Sequence, residues 1–254
     1  MPVALVTGAG SGIGRAAARR LAADGFAVVC ADLNVEAAQA VAAEIAAGQG
    51  AALAVEVDVA DEGSVARMAE AAVGWRGGLR SVIANAGAMV EGDILSLSLA
   101  DWNRALSVNA TGAFLTARAT MPHLVADGAG TLVFTASTVG LAGMKGVAAY
   151  SAAKGAVVAL TRQLAADFAG RAVRVNAVAP GAVRTPLSEA QFRARSGTEE
   201  EFQALLSQVI ARYPLPRWGT AEEIAEVILF LATDRSSWMT GQVLPVDGGL
   251  LELR

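Results

Sequence analysis

The stretch Tyr150-Ser-Ala-Ala-Lys154 puts a phenol and an ammonium four residues apart at the start of a strong helical pattern. On a helix that spacing brings both to one face, about 6 Å apart along the axis. They can therefore work as a pair. A free phenol titrates near pH ~10; an adjacent ammonium favours phenolate, so the Tyr150 value is expected to fall. Tyr150 then serves as a general base in one direction and a general acid in the other. Ser137 follows the apolar run Thr131–Thr135, and its hydroxyl is placed to hydrogen-bond and polarise a substrate oxygen. In isolation, a Tyr and a Lys on a helix are more often a surface pair, so the surrounding sequence has to decide.

The run Thr7-Gly8-Ala9-Gly10-Ser11-Gly12-Ile13-Gly14 follows a strand-like segment and opens a helical one. Free N–H groups at a helix start, together with the helix dipole, favour a pyrophosphate. Gly8, Ser11, Gly12, Ile13 and Gly14 thus form a phosphate cradle. The common Gly-x-Gly-x-x-Gly register would put its third glycine at Ile13, so a purely structural tight turn is the competing reading. Asp32 ends the next strand-like run, about where an acidic residue accepts hydrogen bonds from an adenosine ribose. A carboxylate there repels a 2′-phosphate, and neither Ser11 nor Leu33 offers an offsetting cation. NAD is therefore expected over NADP, with Arg15 and Asn34 as the residues that argue the other way. The plainer role for Asp32 is to cap the following helix. The positive nicotinamide ring of NAD⁺ is a second influence favouring the Tyr150 phenolate.

Other chemistries find little support. One cysteine, Cys30, excludes an internal disulfide, and with one histidine, His123, leaves little for a zinc site. Cys30 lies in the apolar run Ala27–Ala31 and reads as core packing, and His123 reads as an exposed or dipole-facing side chain near a helix end. No Gly-x-Ser-x-Gly elbow accompanies that histidine, which argues against a Ser-His-Asp hydrolase. The net charge is −4 with scattered basic residues, unlike the cationic field that nucleic acid binding needs. The N-terminal residues Met1–Val6 run straight into a strand pattern without a signal-like segment, so a cytoplasmic protein is expected. The apolar stretch Ala148–Ala169 carries Lys154, Arg162, Gln163 and Asp167, too polar for a membrane span.

These groups need a scaffold, and 254 residues at 54% apolar and 17% charged suit one large core better than two. Short β-branched runs alternate with longer helical patterns throughout, the mark of repeated βαβ units and a mostly parallel sheet. Strands are expected at Val3–Val6, Ala27–Ala31, Ala52–Val57, Ser81–Ala84, Thr131–Thr135, Arg174–Val178 and Gln242–Pro245. Helices are expected near Ile13–Ala23, Val35–Ala47, Glu62–Val73, Leu99–Leu124, Ala149–Phe168 and Ala221–Ala232. The fold class is α/β: a single doubly wound, Rossmann-type domain over residues 1–254, about seven strands with helices on both faces. Prolines 180, 186, 214 and 216 bracket a polar segment, 185–218, that reads as a partly helical lid.

Taken in order, Thr7-Gly8-x-x-x-Gly12-Ile13-Gly14, Asp58-Val59, Asn85-Ala86-Gly87, Asn109, Ser137, Tyr150-x-x-x-Lys154 and Pro180-Gly181-Ala182-Val183-Arg184-Thr185 resemble the short-chain dehydrogenase/reductase family over nearly the whole chain. The resemblance implies a nicotinamide cofactor and an Asn109, Ser137, Tyr150, Lys154 catalytic set. It implies that Asp58 and the Val59 backbone meet the adenine, that Asn85, Ala86 and Gly87 line the cofactor channel, and that Lys154 holds the nicotinamide ribose. Pro180, Gly181, Val183 and Thr185 belong to the same cradle, with Val183 and Thr185 on the carboxamide. Asn109 is implied to open its helix locally and hold a water in a relay towards Lys154; its plainer role is a satisfied polar residue within a helix. Relatives pair long helices into tetramers, so a homotetramer is expected. The sequence departs from the family at Ala84, where a second asparagine is common, and at Arg80, where an aspartate often stands.

Met89, Val139, Leu141, Met144, Ala182, Leu187 and, on the lid, Phe192 are candidate pocket residues, and their apolar character suggests a small or medium hydrophobic secondary alcohol or ketone. Val139, Met144, Ala182 and Leu187, with Ser137 and Tyr150, form the expected substrate contact set. Arg184, Arg193, Arg195 and Arg212 offer themselves to an anionic substrate, against a reading as solvated surface. The rival activity is an NADPH-dependent 3-oxoacyl thioester reductase docking its carrier through Arg104, Arg118 and Arg171, which Asp32 opposes. Outside enzymes, a silent dinucleotide-binding sensor or scaffold is the alternative, and it would have no need of Ser137, Tyr150 and Lys154 together.

Overall fold

The computed structural model describes residues 1–253. Seven strands form one all-parallel sheet: β1 (Val3–Thr7), β2 (Ala27–Asp32), β3 (Ala52–Glu56), β4 (Ser81–Ala84), β5 (Thr131–Thr135), β6 (Arg174–Pro180) and β7 (Val243–Val246). Their spatial order is β3-β2-β1-β4-β5-β6-β7. The order reverses between β1 and β4, where Val6 faces Cys30 on one side and Ile83 on the other. Such a switch point opens a crevice at the carboxyl ends of the strands.

The strands read as continuous apolar runs because both faces of the sheet are covered. Within β1, Val3 and Leu5 join one core, with Val65, Met68, Leu115, Leu124 and Val157, while Ala4 and Val6 join the other, with Leu21, Val41, Ile224, Ile228 and Leu229. The first face thus takes α3 (Glu62–Arg76), α5 (Gly112–Asp127) and α6 (Ala148–Phe168), and the second takes α1 (Gly12–Ala23), α2 (Val35–Ala47) and α9 (Ala221–Ala232). Cys30 is fully buried in the second core, and burial pushes its thiol up to about 12, which leaves it inert. Among the described residues no helix is long and apolar enough to cross a membrane.

Three sequence expectations change. The helix expected over Leu99–Leu124 is interrupted: α4 (Leu99–Leu106) passes through one π-helical turn, Ser107–Thr111, into α5, which continues to Asp127. Strands β2 and β6 run on to Asp32 and Pro180, and β7 starts at Val243 rather than Gln242. The segment after β6 is more helical than expected, with α7 (Pro186–Arg193) and α8 (Glu199–Ile210), each started by a capping box, at Thr185/Ser188 and Thr198/Glu201. This excursion leaves and returns at one point, where Val183 bridges Gly219. Its own small core joins Phe192, Phe202 and Leu206 to Trp218.

Candidate active site

Gly8, Asp32, Asp58, Asn85, Ser137 and Gly181 all lie at or just beyond the carboxyl ends of their strands, so the sheet brings six motifs to one crevice. The glycine loop is shaped by its lack of side chains: Gly8 and Gly12 adopt φ of +67° and +50°, and a Cβ at Gly14 would stand 2.0 Å from the Gly8 carbonyl oxygen. Ser11, at the α1 N-cap, makes no side-chain capping bond, and no acidic residue occupies the first turn. The first-turn N–H groups keep their capacity for an anion, so a dinucleotide pyrophosphate fits there.

Asp32 is held by the loop it faces. One carboxylate oxygen accepts the Gly10 N–H at 2.8 Å and the other the Asn34 N–H at 3.0 Å. The capping role falls to Asn34 instead, whose side chain accepts the Ala37 N–H at 2.9 Å. Arg15 is bound to Glu44, Nη2 to Oε1 at 2.7 Å, and Leu33 is exposed. Asp58 is exposed with one oxygen accepting the Ala60 N–H, and Val59 is buried behind it.

The centre of the crevice is tied by Thr7 and Asn85, which the sequence reading underused. The Thr7 hydroxyl accepts the Asn85 and Ala86 N–H groups at 3.0 and 3.1 Å. The Asn85 amide donates to the Thr7 carbonyl at 3.1 Å, and its oxygen accepts from the Thr135 hydroxyl at 3.1 Å. Asn85 therefore supports the crevice with its side chain and leaves Ala86 and Gly87 to line it. Asn109 is buried, donates to the Ala88 and Ala105 carbonyls at 2.8 and 3.0 Å and accepts from the Ala88 N–H at 3.2 Å. Its side chain is spent on that loop, and its place in the π turn changes only what its backbone can do.

Ser137 sits in the turn after β5, where its oxygen accepts the Val139 N–H at 3.4 Å, and its side chain is near enough to Tyr150 to favour the phenolate. Tyr150 lies in the first turn of α6, fastened to the Ser137 turn by a bond from the Ser151 hydroxyl to the Val139 carbonyl at 2.5 Å. One helical turn on, Lys154 is buried, donates to the Thr135 carbonyl at 2.7 Å and stands 5.6 Å from the centre of the Tyr150 ring. All three expected partners meet. The expected lowering of the Tyr150 pKa does not appear in the protein alone. Burial pushes the phenol up to about 12, against a smaller downward pull from Ser137, and burial also brings Lys154 down to about 8. Desolvation penalises both charged forms, and it is the dominant influence on each.

Of the residues expected to line a substrate pocket, Val139 is buried and Met144, Leu141 and Leu187 are exposed, while Phe192 turns into the excursion's own core. Three of the arginines offered to an anionic substrate are already paired: Arg184 with Glu189, Arg193 with Glu199 and Arg195 with Glu91. Glu91, which the sequence did not single out, also accepts from Gln191 and so joins the loop after β4 to α7. Arg104 and Arg118 are likewise paired, with Asp101 and Glu62, and Arg171 lies over the Phe168 ring.

With this geometry in place, comparison with known proteins is specific. Residues 8–251 match the family model described as enoyl-(acyl carrier protein) reductase. The chain is 39% identical to 2-(S)-hydroxypropyl-CoM dehydrogenase 3 of Xanthobacter autotrophicus, covering 98% of this chain and 96% of the relative. It is 40% identical to meso-2,3-butanediol dehydrogenase of Serratia marcescens, covering 97% and 93%. Among solved structures, levodione reductase superposes with a TM-score of 0.93 at 35% identity over 98% of this chain and 96% of that one.

Proposed function

The chain belongs to the short-chain dehydrogenase/reductase family, and from that premise we propose that it is an NAD(H)-dependent dehydrogenase interconverting a neutral secondary alcohol and its ketone, with Tyr150 as general acid/base. The observation that carries this reading is the buried Lys154, which donates to the Thr135 carbonyl one helical turn from Tyr150 and stands 5.6 Å from the centre of its ring, with Ser137 on the turn that α6 packs against.

A bound nicotinamide supplies the hydride acceptor or donor. Gly8, Ser11, Gly12, Ile13 and Gly14 hold its pyrophosphate, Asp32 and Leu33 its adenosine ribose, and Asp58 and Val59 its adenine. Ala86 and Gly87 line its path, Lys154 holds the nearer ribose, and Pro180, Gly181, Val183 and Thr185 enclose the carboxamide. In alcohol oxidation Tyr150 takes the hydroxyl proton while Ser137 fixes the same oxygen by hydrogen bonding, and in reduction both roles reverse. Lys154 stabilises the phenolate across the shared helix face. With its side chain committed to Ala88, Asn109 contributes to proton relay through the backbone of the π turn.

NAD is favoured because the residues that argued against it are engaged elsewhere. Arg15 is held by Glu44 and Asn34 caps α2, so nothing offsets Asp32 against a 2′-phosphate. A neutral substrate is favoured because the arginines around the excursion are mostly paired, while Val139, Met144, Ala182 and Leu187 present apolar surface. The same pairing of Arg104 and Arg118 weakens the thioester reductase reading. The excursion over 185–218 acts as a lid, joined to the loop after β4 through Glu91. An apolar groove between α5 and α6, lined by Phe114, Met121, Pro122, Leu164 and Phe168, fits the helix pairing of a homotetramer.

The test is a panel of cyclic and acyclic secondary alcohols, diols and hydroxy acids with NAD⁺, read by nicotinamide absorbance. Neutral secondary alcohols are expected to be oxidised by the wild type, and Tyr150→Phe to lose about a hundred- to ten-thousandfold in kcat while binding NADH as before. Wild-type rates in Tyr150→Phe, or turnover confined to anionic alcohols, would overturn the proposal.

A further inference from the structure

The loop from Gly181 to Thr185 is expected to meet the nicotinamide end of the cofactor, yet its backbone is not held by the sheet beyond Gly181, whose N–H donates to the Val246 carbonyl of β7 at 3.1 Å. It is held instead from the far end of the excursion. The Tyr213 hydroxyl accepts the Ala182 N–H at 2.8 Å, the Gly219 N–H donates to the Ala182 carbonyl at 2.9 Å and the Arg184 N–H donates to the Gly219 carbonyl at 3.0 Å. Tyr213 itself is fixed against the loop. A Cβ at Gly181 would stand 3.0 Å from the Tyr213 ring and 2.9 Å from the Asp247 Cα, so only glycine allows this approach. Two residues on, the Leu215 N–H donates to the Gly248 carbonyl at 3.0 Å, which ties the segment bearing Tyr213 to the turn after β7. Burial raises the Tyr213 phenol above its ordinary value, so it stays a neutral hydroxyl while it accepts the amide.

We propose that Tyr213 is a positioning residue: by accepting the Ala182 N–H, its hydroxyl sets the Gly181–Thr185 loop for the nicotinamide carboxamide and fixes the position of the lid relative to the cofactor. The phenol does what a strand neighbour does further back in β6, satisfying a backbone donor and limiting the loop to one conformation. Because Tyr213 ends the segment that follows α8, a displacement of the lid pulls on Ala182, and a carboxamide seated on Val183 and Thr185 resists that displacement. Cofactor binding and lid position are thereby linked through a single hydrogen bond and the bridge at Val183 and Gly219.

This inference rests on the reading that Val183 and Thr185 hold the carboxamide, and the experiment separates the two. Dissociation constants of NADH and of ADP-ribose, which has the same pyrophosphate and adenosine but no nicotinamide, are measured for the wild type, Tyr213→Phe and Thr185→Val. Tyr213→Phe keeps the ring and removes only the acceptor. NADH binding is expected to weaken about three- to tenfold with ADP-ribose binding unchanged, and KM for NAD⁺ to rise by a similar factor while kcat at saturation stays within about twofold. Binding of ADP-ribose also reports that the variant is folded. Equal weakening of both ligands, or no change in either, overturns the assignment of Tyr213. If Thr185→Val selectively weakens NADH while Tyr213→Phe has no effect, the Tyr213 assignment alone fails. If Thr185→Val is without effect on NADH, the carboxamide reading fails and the inference with it.

Discussion

Lys154→Met tests the electrostatic core of the proposed mechanism. Methionine is unbranched and close to lysine in length, so it fills the buried channel while removing the charge. In the wild type the ammonium nitrogen lies 5.6 Å from the centre of the Tyr150 ring and the lysine is only 3% exposed, so solvent does little to screen the pair. At an effective dielectric of about 20, a unit charge at that distance stabilises phenolate by about 3 kcal/mol. That corresponds to about two pKa units on Tyr150. Steady-state alcohol oxidation at saturating NAD⁺, which sets aside any loss in cofactor binding, is then expected to slow about a hundredfold at a fixed pH below about 8, where wild-type Lys154 keeps its proton. Raising the pH should restore most of the rate, because the same phenolate fraction is reached about two units higher. The substitution also leaves the Thr135 carbonyl without its donor, which costs about 1–3 kcal/mol of stability and is read separately from thermal unfolding; a loss of stability does not move a pH–rate profile. A loss in kcat of less than about threefold, or a loss that alkaline pH does not recover, would refute the electrostatic role and leave Lys154 as a cofactor ligand only.

Two further outcomes are expected. Asp32→Ser should lower the NADH-to-NADPH ratio of kcat/KM by about tenfold or more, since it removes the charge facing the 2′ position; an unchanged ratio, or a wild type that already prefers NADPH, would contradict the cofactor assignment. The chain holds only two tyrosines, Tyr150 and Tyr213, and burial raises both phenols. Tyrosinate absorbance in the cofactor-free protein should therefore develop only above pH ~10, with Tyr150 near about 12. The folded state then holds protons that the unfolded state has released, so the associated stability is full below about 10 and is lost as pH rises through the folded value. Tyr213→Phe isolates the Tyr150 transition, and added NAD⁺ should lower it; a Tyr150 midpoint below about 10 without cofactor would show that the Lys154 charge, and not desolvation, dominates at the phenol.

The fold was legible because its signals are local and repeated. Each strand is a short apolar run and each major helix carries a face, so the βαβ alternation is already present in residues 3–84 before any long-range contact is considered. One helix was legible only in part: over Leu99–Leu124 the apolar pattern continues across Ser107–Thr111, and the opening of the hydrogen-bond ladder there was implied by the family resemblance at Asn109 and not by the periodicity. The proximity of Tyr150 and Lys154 was legible for a similar reason, since a spacing of four residues on a helix fixes one face. Phe192 was not, because an aromatic on a polar segment looks like a pocket wall until Phe202, Leu206 and Trp218 are seen to enclose it.

By itself the sequence determined the parallel α/β order, the glycine-rich turn that opens α1, the acidic residue at the end of β2 and the proximity of Tyr150 to Lys154, all consequences of spacing along a chain whose local geometry is restricted. Tertiary structure alone decided which of these groups are spent and which are free. Lys154 finds the Thr135 carbonyl 19 residues away, Ala182 finds the Tyr213 hydroxyl 31 away, and Glu91 finds Arg195 104 away. It also reversed the expected direction of the Tyr150 pKa, because desolvation is contributed by every residue that packs around a group and no spacing within one helix reports it.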